Sequence, residues 1–190
     1  MAVMILGLAL WWASHLFPIY LPGARAAAAA RLGEVPYKGL FALVSLAAMV
    51  LMVRGYRHAD FVEVWSPPSW TMHLNNLLML LAIFLLLLAA KDIKSSVRHH
   101  IRHPMLTAAM VWAFAHLLVN GDAASVLLFS GVLAWAVVAV LGLNARDGDW
   151  VRPPRGDRAG MIRHLVATVV VFAVVVGIHW QLLGVNPFPQ

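Results

Sequence analysis

Uncharged apolar segments alternate along this chain with short segments that carry nearly all of its charged residues. A bilayer core about 30 Å thick requires a helix of roughly 17–25 apolar residues. Most of the uncharged windows have that length, and the shortest, 39–53, reaches it when it is extended back to Pro36. We therefore predict an all-α protein, a polytopic membrane bundle of about six transmembrane helices. The predicted spans are roughly 2–21, 36–53, 72–90, 104–119, 123–143 and 164–184.

The segments between the predicted spans carry local signals of their own. Residues 25–34 contain an alanine-rich run of good helix formers, which predicts a short helix at the membrane surface. Pro104 suits the first position of the fourth span, and Asp122 suits the N-cap of the fifth. Residues 144–163 contain two adjacent prolines and several glycines, which is typical of a loop. Without an internal repeat or a domain boundary, we expect one integral membrane domain over residues 1–190.

Composition supports the membrane interpretation. The chain is 62% apolar and 12% charged, whereas a soluble domain is nearer half apolar and a quarter charged. The absence of cysteine excludes disulfides, iron–sulfur clusters, thiolate ligands and covalently attached c-type haem. The net charge of +6 comes from basic residues in short loops, which favours the lipid bilayer over nucleic acid as a partner. Because the first basic residue is Arg25, we interpret the N-terminal segment as a retained helix and not a signal peptide.

The distribution of lysine and arginine predicts the orientation of the chain. The first, third and fifth loops hold 12 of the 14 basic residues, and the second loop holds Arg54 and Arg57. The positive-inside rule therefore places the odd-numbered loops in the cytoplasm and both termini on the outer, periplasmic side. The basic residues of the odd-numbered loops are Arg25, Arg31, Lys38, Lys91, Lys94, Arg98, Arg102, Arg146, Arg152, Arg155, Arg158 and Arg163.

Histidine is the main candidate for chemistry, with nine residues in a chain that has few polar groups. His15, His116 and His179 lie inside uncharged segments, and His73 lies near the outer end of the third span. Each alone is compatible with a neutral imidazole hydrogen-bonded to a neighbouring helix. As a group, with no carboxylate in the spans and no HExxH motif, they favour haem b over zinc or a proton relay. We interpret the histidines beside basic residues as solvated at the interface: His99, His100, His103 and His164.

Depth in the membrane leaves the axial pair open. His116 lies twelve residues after Pro104, so about 18 Å from the cytoplasmic end of its helix and in the outer half of the bilayer. His73 and His179 also lie in the outer half, whereas His15 lies in the inner half, so depth alone pairs His116 with His73 or His179. Three further residues enter the candidate cofactor-binding set, although their simplest roles are packing and membrane anchoring: Arg102, His103 and Trp112.

Four segments resemble the NnrU family of membrane proteins. They are GLALWWASHLFPI, ARLGEVPYKGLFALVSL, RGYRHADFVEVW and RHPMLTAAMVWAFAHLLVNGDAASVLLFSG, and their order and spacing fit the family. The resemblance implies a multi-pass protein of the bacterial inner membrane that is linked to denitrification. It also implies a role in producing active nitrite and nitric oxide reductases, so that components of these reductases are candidate partners. The family does not establish whether such a protein is an enzyme.

The same segments are more distantly similar to zeta-carotene isomerase, a membrane haem b enzyme. That similarity implies His15 and His116 as the axial metal ligands and His58, in the second loop, as a further functional histidine. An alternative cysteine ligand of that family falls on Ala113, so thiolate ligation is excluded in this chain. Two alternatives to the haem protein of nitrogen-oxide metabolism follow. One is a haem-dependent cis–trans isomerase of a carotenoid-like polyene or other isoprenoid-like lipid, and the other is a membrane assembly factor without a cofactor.

Overall fold

The computed structural model describes residues 1–90, 94–182, 184, 186 and 188, and these residues form helices and connecting turns without a β-strand. Helix α1 spans Ala2–Tyr20, α2 spans Pro22–Leu32 and α3 spans Glu34–Arg57. Helices α4 (Thr71–Leu87) and α5 (Pro104–Leu117) follow, with a 3-10 helix at Ser96–His100 between them. Helices α6 (Ala123–Asp147) and α7 (Arg158–Leu182) complete the described chain. The predicted all-helical class is therefore confirmed.

Four of these helices are long and apolar enough to cross a membrane. They are Ala2–Tyr20, Glu34–Arg57, Ala123–Asp147 and Arg158–Gln181. Helices α4 and α5 are apolar but have only 17 and 14 residues. At 1.5 Å per residue, α5 is about 21 Å long, which is shorter than a bilayer core of about 30 Å. A membrane-spanning bundle is thus supported, while six spans and the orientation of the termini stay predictions.

Several local predictions are confirmed and one loop prediction is wrong in its extent. The alanine-rich segment forms α2, α5 begins at Pro104, and the Asp122 side chain accepts a hydrogen bond from the Ser125 N–H at 2.9 Å as the N-cap of α6. The loop expected at 144–163 is much shorter, because α6 continues to Asp147 and α7 already begins at Arg158. Charged side chains at helix ends can extend into the polar interface, so a charged residue does not end a membrane helix. Of the basic loop residues, Lys91 lies outside the described part of the chain.

The described residues form two compact units. Unit 1 comprises residues 1–64 and 122–148, in which α1 packs against α2, α3 and α6. Side chains tie these helices to carbonyl groups: Trp12 Nε1 donates to Gly131 O at 3.1 Å, and Tyr20 Oη donates to Val138 O at 2.9 Å. The prediction of a single integral membrane domain is not tested by this division and stays a prediction.

Unit 2 comprises residues 65–121 and 149–190. Helix α4 packs against both α5 and α7, and the 3-10 helix packs against α7. Buried Leu85 of α4 and Leu88, the C-cap of this helix, meet Ala108 of α5 in an apolar cluster. At the C-terminal end of α4, the Arg98 guanidinium donates to the carbonyl of Leu88, which satisfies a group that the helix leaves without an internal donor.

Candidate functional site

Four candidate histidines share one hydrogen-bond geometry within their own chain segments. In each, Nδ1 lies within hydrogen-bond distance of the backbone carbonyl four residues earlier in the sequence. Because a carbonyl oxygen only accepts, Nδ1 carries the proton and the lone pair lies on Nε2. Neutral imidazole in this tautomer is the form that binds metal through Nε2, with Nδ1–H oriented by a backbone carbonyl. The distances are 3.0 Å for His15, 2.8 Å for His58, 2.8 Å for His116 and 2.9 Å for His179.

His15 lies in an aromatic cluster of unit 1. Its imidazole stacks on the Trp11 indole with 3.8 Å between ring centroids. Phe41 and Trp135 approach edge-on, with centroid distances of 5.1 and 5.5 Å. The Ser14 hydroxyl donates to the same Trp11 carbonyl that accepts from His15, at 3.1 Å. His15 remains half-buried, so helix α1 orients its ring without enclosing it.

Two indole N–H groups of this cluster have no acceptor among the described residues. They belong to Trp11 and Trp135, and both nitrogen atoms are buried. An unsatisfied buried donor is unfavourable by about 1–3 kcal/mol, so two in one cluster are unusual. The neighbouring Trp12 shows the ordinary arrangement, since its indole donates to the Gly131 carbonyl. The cluster around His15 therefore offers two oriented donors to a polar group that has acceptor atoms.

His116 and His179 lie in unit 2, on α5 and α7. The two imidazoles interact electrostatically, and both side chains are half-buried. The Trp112 indole lies one helical turn before His116, with 4.8 Å between ring centroids and a tilt of 48°. Of the two partners that depth suggested for His116, His179 is thus the one that interacts with it electrostatically. His73, the other, is exposed near the beginning of α4.

The remaining candidate residues lie elsewhere in their units. His58 is exposed just after the end of α3, beside a cavity of about 430 Å³ that Met1 and Arg54 also line. Arg102 and His103 immediately precede α5, whereas His116 lies near its other end, about 20 Å away along the helix axis. The structure therefore separates Arg102 and His103 from His116.

His164 is a correction to the sequence interpretation, which placed it in solvent at the interface. Its side chain is 0% exposed, its ring stacks on Phe84 at 4.0 Å, and its Nε2 donates to the Phe84 carbonyl at 2.9 Å. His164 thus joins α7 to α4. The signal for this burial was the four-residue spacing of Gly160, His164 and Thr168, which places three small or polar residues on one buried face of α7.

The number of histidine and carboxylate side chains that lie together restricts which metal sites the protein can form. Across residues 1–90 and 94–182, no group of three or more histidine or carboxylate side chains is arranged to hold a metal ion. A tetrahedral zinc site usually needs three or four protein ligands, so the described residues do not form one. Haem iron takes only one or two protein ligands, because the porphyrin supplies the other four. Isolated, oriented imidazoles are therefore compatible with haem.

The comparison with known families agrees with the quoted segments. The family model described as NnrU protein matches residues 3–187, which is nearly the whole chain. No curated protein and no solved structure matches the chain significantly.

Proposed function

The chain belongs to the NnrU family, and from this premise we propose that it is a haem b-binding protein of the bacterial inner membrane. We further propose that it acts in nitrogen-oxide metabolism, where it supports active nitrite and nitric oxide reductases. Components of these reductases are its proposed partners. The four long apolar helices support the membrane location, and the basic odd-numbered loops support insertion with those loops in the cytoplasm.

The observation that carries the haem proposal is the shared tautomer of the candidate histidines. His15, His116 and His179 each hold Nδ1–H on a carbonyl of their own helix, which leaves Nε2 as the ligand atom. A helix that orients an imidazole in this way fixes the ring before a metal binds. Haem, when bound, would supply a redox-active iron that also binds small nitrogen oxides.

The surroundings of these histidines fit a porphyrin. Trp11, Phe41 and Trp135 provide apolar aromatic surface beside His15, and Trp112 does so beside His116. The indole N–H groups of Trp11 and Trp135 are suited to donate to a carboxylate such as a haem propionate. His116 would hold the haem in both candidate pairs, with His15 as its partner by family resemblance and His179 as its partner by their electrostatic interaction in unit 2.

The first experiment measures haem directly. The protein is purified in mild detergent from cells supplied with iron and haem precursor, and a pyridine haemochrome assay gives the haem content. We expect about one haem b per chain and a Soret band that shifts on reduction. Protein that is folded by circular dichroism but contains no haem would overturn the proposal and favour a cofactor-free assembly factor.

Histidine variants then identify the ligands. We expect His116→Ala to lose haem or shift the Soret band, and added imidazole to restore the spectrum in part. His15→Ala and His179→Ala distinguish the two pairings, because only the true partner should give a similar loss. His100→Ala is the matched control, since His100 is exposed at the end of the 3-10 helix. Unaltered haem spectra in all three ligand variants would contradict the assignment.

A further inference from the structure

Unit 2 contains a cavity that the haem proposal does not use. It has a volume of about 230 Å³, and its lining includes Arg98, Arg102, Pro104, Trp150 and Pro153. The end of the 3-10 helix, the beginning of α5 and the segment before α7 therefore meet there. His99 fixes this arrangement, because its Nδ1–H donates to the Pro153 carbonyl at 2.8 Å. The cavity is thus held by contacts within unit 2.

The charge of the cavity is positive. Two of its lining residues are arginines and none is acidic. In the described part of unit 2 the acidic residues are Asp149 and Asp157, and Asp157 is engaged by the Gly160 N–H at 2.5 Å as a helix cap. No salt bridge among the described residues involves Arg98 or Arg102. The two guanidinium groups are therefore not neutralised by a described carboxylate.

The two arginines differ in how firmly they are held. Arg98 donates through Nη1 to the carbonyls of Leu88 and Ala90, which orients its guanidinium and leaves Nε and Nη2 for another acceptor. Arg102 is half-buried at the cavity, and its side chain forms no hydrogen bond with the residues that the structure describes. Helix α5 begins at the cavity wall with Pro104, so the positive end of its dipole adds to the field. These features together favour binding of an anion in the cavity.

We propose that this cavity binds a phosphate group, held by Arg102 and Arg98. Arginine presents paired N–H donors that match the oxygen atoms of phosphate, and a bound anion offsets two adjacent positive charges. The volume is below the roughly 300–1,000 Å³ that is usual for pockets of larger organic ligands, which suits a headgroup-sized anion. The shared chemistry is a phosphate ester or free phosphate, and the neighbouring basic loop residues Lys94, Arg155 and Arg158 would attract either one.

Calorimetric titration of the full protein in an uncharged detergent tests the proposal. The probes are inorganic phosphate, mixed micelles of short-chain phosphatidylglycerol, and micelles of zwitterionic short-chain phosphatidylcholine. We expect saturable binding of one anion per chain. Binding of phosphatidylglycerol but not inorganic phosphate identifies a lipid headgroup site, and binding of inorganic phosphate identifies a free-anion site. Absence of saturable binding with every probe overturns the proposal.

Variants show whether the cavity or the general positive charge is responsible. We expect Arg102→Gln to weaken binding by about tenfold, because it removes one charge-assisted contact. Arg155→Gln removes the same charge from an exposed residue of the segment before α7 that does not line the cavity, and it should change affinity by less than about twofold. Equal weakening by both variants would indicate diffuse attraction and reject the site. Unchanged haem content in Arg102→Gln would show that this site is separate from the proposed haem site.

Discussion

Single glycines control how closely the helices of unit 1 approach each other. A Cβ atom added to Gly7 of α1 would lie 2.6 Å from Met52 N and 2.8 Å from Ala48 O of α3. A Cβ added to Gly55 of α3 would likewise collide with the backbone of Met4. Small residues at helix contacts are common in membrane proteins, because dispersion forces between closely packed backbones replace the hydrophobic effect. These positions therefore admit no side chain.

Gly55→Ala should lower the free energy of unfolding by about 1–3 kcal/mol, since the new methyl group forces α1 and α3 apart. Gly39→Ala is the matched control in the same helix, because nothing lies within 4 Å of a Cβ at that position. Alanine there should be neutral or slightly stabilising, as it favours the helix. Thermal unfolding in detergent, followed by tryptophan fluorescence, measures both variants. Equal melting temperatures for the two would contradict the close packing of α1 on α3.

At the scale of helices, a few polar contacts determine which elements pack together. In unit 1, the Tyr56 hydroxyl of α3 lies 2.9 Å from Ser125 Oγ in the first turn of α6, beside the N-cap Asp122. In unit 2, His164 joins α7 to the Phe84 carbonyl of α4. Apolar side chains alone give little orientation between helices in lipid, so such contacts select a particular register.

His164→Ala should destabilise the packing of α7 on α4 by about 2–4 kcal/mol, because it removes a fully buried ring and leaves a cavity. His164→Phe should lose less stability, because it keeps an aromatic ring that can stack on Phe84. The Phe84 carbonyl also keeps a hydrogen bond in this variant, since it accepts from Leu88 N at 3.1 Å. His100→Ala, at an exposed position, should leave the melting temperature unchanged. Equal melting temperatures for His164→Ala and His100→Ala would contradict a role of His164 in packing α7 on α4.

For the whole molecule, the main question is whether α4 and α5 cross the bilayer. Helix α5, with 14 residues, is shorter than the roughly 17–25 residues that a span requires, and α4, with 17, is at the lower limit, whereas the four longer helices meet the requirement. A six-span chain has its third loop in the cytoplasm. A four-span chain, in which α4 and α5 do not cross, has the whole of residues 58–122 on the outer side. Both arrangements place the second loop outside and the fifth loop in the cytoplasm, so only the location of the third loop distinguishes them.

The natural absence of cysteine makes a labelling test direct. Single substitutions Asp60→Cys, His100→Cys and Asp149→Cys place a thiol in the second, third and fifth loops, each at an exposed position. With a membrane-impermeant maleimide and intact cells, we expect Asp60→Cys to be labelled. We expect His100→Cys and Asp149→Cys to react only after the membrane is opened. Labelling of His100→Cys in intact cells would reject six spans and support four.

The sequence by itself determined the helical membrane class, the short helix α2, the start of α5 at Pro104 and the cap of α6 at Asp122. These features depend on the length of each apolar segment and on residues that act within one helical turn. Both can be read from the spacing of residues along the chain. The family was also readable from four characteristic segments that are spread along the chain, and the family model matches residues 3–187.

Only the tertiary structure decided which histidines are available for chemistry and which serve packing. His164 and His179 lie on the same helix, yet one donates through Nε2 to a neighbouring helix and the other through Nδ1 to its own. The two unsatisfied indoles beside His15 and the arginine-lined cavity before α5 also depend on which elements meet. Burial and hydrogen-bond partners arise from contacts between residues far apart in the chain, and a pattern along the chain does not contain them.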